Sequence, residues 1–87
     1  MSLTEVLMSV QFTLRGKDFE LRREDFVAVA RGMVPGRIQK YSVTAAGKRF
    51  PIRQLVAAAT GMPAIVITSQ DAYRILQKFD FDIAIDE

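Results

Sequence analysis

An α+β fold, a short antiparallel sheet of about five strands with three amphipathic helices on one face, follows from three features of this 87-residue sequence. Segments with a two-residue apolar period alternate with segments whose apolar residues fall at i, i+3, i+4 and i+7, so strands and one-sided helices both occur. Gly and Pro mark the junctions between them. A succession of hairpin and then helix is also written twice. One-sided strands and helices must bury those sides against each other, which makes a layered α+β domain.

Taken in order, residues 1–7 are expected to fray or cap an edge. Met8 to Arg15 alternates, with Val10, Phe12 and Leu14 on one face and Gln11, Thr13 and Arg15 on the other. Gly16-Lys17-Asp18 is expected to turn this strand, and Phe19-Glu20-Leu21 to return as its partner. Arg22-Arg23-Glu24-Asp25 then opens a helix with Phe26, Val29, Ala30 and Met33 on one stripe, and Glu24 and Asp25 in its first turn suit the macrodipole. Gly32 and Pro35-Gly36 end it.

The next stretch organises the chain. Tyr41, Val43 and Ala45 alternate with Ser42 and Thr44, Ala46-Gly47-Lys48 interrupts, and Arg49-Phe50 returns. Gly47 suits the pivot because glycine takes positive φ at little cost. Pro51 is expected in the first turn of a helix, where a missing N–H does no harm. Ile52, Leu55, Val56 and Ala59 form its stripe, and Gly61 and Pro63 close it. From Gly-Lys to Gly-Met is 16 residues in the first half and 14 in the second. A duplicated hairpin–helix unit, over 8–36 and 39–63, accounts for both letters and pattern; chance matching of small residues is the alternative.

Ala64-Ile65-Val66-Ile67 is an apolar connection. Thr68-Ser69-Gln70-Asp71 reads as a capping box, in which Thr and Asp satisfy each other's backbone N–H. Ala72, Ile75, Leu76 and Phe79 give the third helix its stripe. Phe81, Ile83 and Ile85 then alternate with Asp80, Asp82 and Asp86, a closing strand with one acidic face, so that 68–86 completes one small domain spanning 1–87. The open face of so small a sheet suits cover by a second copy in a homodimer.

Composition narrows the function. Apolar residues make up 49% of the chain, including six Phe, which is globular. No apolar run nears the roughly 20 residues that span a bilayer, and no signal peptide is expected, so no membrane partner is. Cys and His are both absent. Disulfides and thiolate zinc sites are thereby excluded, and the commonest general base and metal ligand is missing. A cytoplasmic protein without metal or cofactor is the expectation. Net charge is +2, but residues 1–64 hold ten Lys/Arg and five Asp/Glu, whereas 65–87 hold two and five. An ordinary mixed surface explains that asymmetry as well as a basic binding face does.

No catalytic constellation emerges. The C-terminal acids lack the glycine and ligand spacing of a calcium loop. Gly16-Lys17 and Gly47-Lys48 lack the first glycine and the Ser/Thr of a phosphate loop. What remains is a basic set. Lys48 and Arg49 lie at the second hairpin tip, Arg53 one turn into the next helix, and Arg74 and Lys78 share a face of the third helix. Sets of this kind contact phosphates, with solvated surface charge as the plain alternative.

Gly47, Lys48, Arg49, Phe50, Pro51, Arg53, Ala58, Gly61, Ser69, Ala72, Arg74, Leu76 and Phe81 together resemble a pattern over residues 40–83. It is that of the small accessory head of bacterial McrA-type modification-dependent restriction endonucleases and of related small bacterial proteins. The resemblance implies association with DNA beside a nuclease partner rather than catalysis. Asp80 stands where the pattern has Gly, and Tyr73 where a second Arg is common. No nuclease motif is present. The expectation is therefore a non-catalytic nucleic-acid-binding module. Lys48, Arg49, Arg53, Arg74 and Lys78 are expected to contact phosphates, and Arg49 to reach a base edge. The rival is a protein-interaction or homodimerisation domain using the open sheet face or the segment 64–67.

Overall fold

The computed structural model describes residues 9–85, so the expectations for 1–8 and for Asp86 and Glu87 lie outside it. The chain runs β1 (Val10–Leu14), β2 (Lys17–Leu21), α1 (Arg23–Arg31), β3 (Tyr41–Ala45), β4 (Lys48–Pro51), α2 (Ile52–Thr60), a 3-10 turn (Ala64–Val66), α3 (Ser69–Lys78) and β5 (Ile83–Ile85). The α+β class and the three α-helices are as expected. The five strands, however, form two antiparallel sheets: the hairpin β1-β2, and a three-stranded sheet in the order β4-β3-β5. After β2 the chain enters α1 and a long loop before β3, and β5 takes the free edge of β3 by pairing Tyr41 with Ile85 and Val43 with Ile83. The first hairpin instead docks through β1 on α3.

Both hairpins close with the same two-residue loop. Leu14 pairs with Lys17 across Arg15-Gly16, and Ala45 pairs with Lys48 across Ala46-Gly47. The φ angles are 52° and 80° in the first loop and 53° and 76° in the second. Positive φ at both positions is a type I′ turn, whose twist matches the flanking strands. The first turn therefore begins one residue earlier than expected and the second ends one residue sooner, with Lys17 and Lys48 already in the return strands. Pro51 likewise closes β4 with ψ 137° and caps α2 rather than lying within it. An edge strand tolerates this residue because its missing N–H need not meet a neighbour.

The helical stripes bury as the periodicity requires. Phe26 and Ala30 of α1, Ile52, Leu55 and Val56 of α2, and Ala72, Ile75 and Leu76 of α3 are all buried. Helix α2 packs against both α1 and α3. Phe79 joins the halves of the core, its ring 4.6 Å from that of Phe26 and 6.0 Å from that of Phe12. Burying such side chains supplies most of the stability of a domain this small. The outer face of the three-stranded sheet carries Thr44 and Arg49. Its buried Ser42 receives a hydrogen bond from Arg49 Nη2 at 2.9 Å.

The chain leaves α3 through Asp80, at φ 61°. The N–H of Asp80 donates to the Gln77 carbonyl and that of Phe81 to the Leu76 carbonyl. This paired arrangement is a Schellman motif. Asp fills the left-handed position usually given to glycine, and Phe81 turns into the core. The closing strand is shorter than the alternation suggests, and Ile85, expected on the apolar face, is 58% exposed at its end. No helix among the described residues is long and apolar enough to cross a membrane.

Candidate nucleic-acid interface

The five basic residues singled out by sequence do not share one surface. Lys48 begins β4, and its ammonium donates to the carbonyls of Arg31 at 3.3 Å and Met33 at 3.1 Å, closing the C-terminal end of α1. A cation there satisfies orphan carbonyls and meets the negative end of the helix. Arg49 lies over the outer face of the three-stranded sheet, held by Ser42. Arg53 donates from Nε to the Ile67 carbonyl at 2.6 Å and from Nη2 to the Ala64 carbonyl at 2.8 Å, so it fastens the 3-10 turn to α2.

Arg74 and Lys78 are exposed on α3 as expected. Arg74 donates to Asp71 Oδ1 at 3.1 Å. Asp71 also receives Arg15 Nη2 from the first hairpin at 2.7 Å, and Arg15 Nε donates to the Val66 carbonyl at 2.8 Å. The capping box forms as read from the sequence, with the Asp71 N–H on Thr68 Oγ1 and the Thr68 N–H on Asp71 Oδ2. Burial raises the Asp71 pKa. Hydrogen bonds from the Thr68 side chain and backbone, followed by the charges of Arg15 and Arg74, more than offset that and hold it below its ordinary value. Arg15 and Arg53, from distant elements, thus pin residues 64–71 in place.

A concave surface lies beside this network. A half-open groove of about 330 Å³ runs between the loop after α1 and the starts of α2 and α3, lined by Gly36, Arg37, Lys40, Tyr41, Arg53 and Ser69 among others. Gln54 holds the loop in place, accepting from the Gly36 N–H at 2.7 Å and donating to the Val34 carbonyl at 3.0 Å. A second recess of about 240 Å³, between Tyr41, Ser69, Gln70 and Tyr73, shares Tyr41 and Ser69 with the first. Three cations and no carboxylate line the two. The first turn of α2 carries no acidic residue to offset its positive end.

On α3, Gln70, Arg74 and Lys78 recur every four residues, so a row of polar and basic side chains continues from the recess along one helix face. Arg53, Arg74 and Lys78 therefore lie in or beside this surface, and Lys48 and Arg49 elsewhere. Sequence reasoning missed Arg37, Lys40, Tyr41 and Tyr73. The adjacency of Lys40 and Tyr41 was the available signal, since a cation next to an aromatic ring is a common pairing at nucleic-acid surfaces. Among the described residues no cluster of acidic side chains is arranged to hold a metal ion. No protein-family model, curated protein or solved structure matches this chain.

Proposed function

We propose that this domain is a non-catalytic nucleic-acid-binding module that receives a phosphate backbone in the groove and along α3. The observation that carries the reading is the groove lining, in which Arg37, Lys40 and Arg53 stand without a carboxylate among them. Arg37 and Lys40 meet phosphates directly. Arg53 contributes its charge while its guanidinium stays on the turn carbonyls. Arg74 and Lys78 extend the track. Lys48 and Arg49 take structural roles in this account, so base readout by Arg49 drops out of it. The resemblance of residues 40–83 to the head of McrA-type restriction endonucleases supports DNA as the nucleic acid, and the bacterial cytoplasm as the setting. The matched type I′ loops and the repeated order of hairpin and helix support descent of the two halves from one duplicated unit.

Fluorescence anisotropy with labelled single-stranded and duplex oligonucleotides at several salt concentrations tests the reading. Micromolar binding that weakens steeply with salt is expected, because each phosphate neutralised releases counterions. Absence of binding at low salt refutes it. A second reading, a protein-interaction or homodimerisation domain, is favoured by Val34 and Ile65, exposed at 84% and 85%, and by the free edge of β5. Light scattering on the same samples separates the two: a dimer that binds no oligonucleotide favours the second.

A further inference from the structure

We propose that the strand received by the groove is unpaired, and that one of its bases stacks on Tyr73 in the recess that Tyr41 and Tyr73 line. The inference rests on the nucleic-acid reading above and names the form of nucleic acid. The two tyrosine rings meet edge to face, with centroids 5.5 Å apart and planes at 71°. In that arrangement the two rings cannot cover each other's faces fully. Both rings are half-buried. Each packs against the core on one side and lines the recess on the other. A bare aromatic face beside a basic groove is what a base needs for stacking, and every base has a face to offer.

The rest of the recess fits the same occupant. The side chains of Ser69 and Gln70 line it and make no hydrogen bond with any described residue, so their donors and acceptors are open to a base edge. The Lys40 ammonium lies over the Tyr41 ring, 5.3 Å from its centroid, so a phosphate-binding charge covers one face of that ring and Tyr73 is the ring left for stacking. A base within a duplex has both faces covered by its neighbours and its pairing edge occupied. Only an unstacked base can enter, so the recess discriminates against duplex while the basic residues do not.

This chain carries its own probe. Its two tyrosines are these two, and it has no tryptophan, so its intrinsic tyrosine emission reports on the recess. Titration with a short oligothymidine is expected to quench that emission to saturation, and a duplex of equal length to bind more weakly with little quenching. Tyr73→Leu keeps the apolar bulk against the core but removes the ring. It is expected to weaken single-strand binding about 5- to 100-fold and leave duplex binding unchanged, with Tyr73→Phe close to wild type. Wild-type affinity in Tyr73→Leu, with the salt slope retained, overturns the stacking proposal and leaves the groove reading standing. Binding to neither nucleic acid at low salt overturns both. Where Tyr73→Leu fails to fold, the wild-type titration decides: anisotropy showing bound single strand without tyrosine quenching overturns the proposal.

Discussion

Replacing Asp71 by Ala removes one carboxylate on which three donors converge, two from α3 and its cap and one from the first hairpin. The Thr68 N–H, Arg15 Nη2 and Arg74 Nη2 lie 3.4, 2.7 and 3.1 Å from its oxygens. Thr68 still caps residue 71, so the capping loss is partial, about 0.5–1 kcal/mol. Arg15 and Arg74 are 47% and 67% exposed, and solvent screening limits the two pairs to roughly 1 kcal/mol together. The variant is therefore expected to be about 2 kcal/mol less stable at neutral pH, from a total on the order of 5–10 kcal/mol for a domain of this size. Urea unfolding followed by circular dichroism reads this as a midpoint lower by about 1–2 M, taking a slope of roughly 1–2 kcal/mol per molar. The difference also has a fixed pH dependence. The folded pKa of Asp71 lies below its unfolded value, so as pH falls the unfolded chain takes up the proton first. The electrostatic share is complete above the unfolded value, near pH 4, and is lost as pH falls through the folded one. A variant as stable as wild type at pH 7, or a gap that never shrinks as the pH falls below the unfolded value, refutes the reasoning.

Three further outcomes follow from the same contacts. Ala46 holds φ 53° in a type I′ loop with no side-chain compensation, so Ala46→Asn is expected to raise stability by about 1 kcal/mol, or roughly 4–8 °C in melting temperature by calorimetry. Lys48→Met removes the donor that closes α1. A loss of about 0.5–1 kcal/mol in chemical denaturation is expected, with oligonucleotide affinity unchanged because Lys48 lies away from the groove. Arg53→Met takes the guanidinium donor from the Ile67 carbonyl and leaves the Ala64 carbonyl with the Ile67 N–H alone. A loss of about 2 kcal/mol by urea unfolding is expected, together with faster amide exchange in residues 64–68.

The secondary elements were legible because each is governed by local periodicity. Most of the three helical stripes and the alternation of Phe12 and Leu14 translate directly into burial, whereas Val29, Ala59 and Met33, the last lying beyond the end of α1, are only half-buried. The split into two sheets was not legible, since a two-residue period tells which face of a strand is buried and not which strand lies beside it. The first turn starts one residue before its expected place, and Lys48 belongs to β4 rather than to the second turn, for a related reason. Gly16 and Gly47 take the second loop position, and nothing in the letters marks Arg15 or Ala46 as left-handed. Asp80 was readable as a left-handed helix end, because Asp tolerates that conformation better than most residues. The basic set shows the limit most clearly. Sequence cannot separate a lysine at a hairpin tip from one whose acceptors, on Arg31 and Met33, lie 17 and 15 residues back along the chain. Tyr41, on β3, and Tyr73, on α3, belong to different elements and meet only in the folded chain.

The most direct test of the groove compares salt titrations of oligonucleotide binding for wild type and for the double variant Arg37→Gln, Lys40→Gln. Each lost phosphate contact on a single strand lowers the slope of log K against log salt by about 0.7. The account predicts weaker binding at low salt and a slope shallower by about 1.4. Unchanged affinity and slope in a folded double variant would contradict it and place any nucleic-acid binding on another surface.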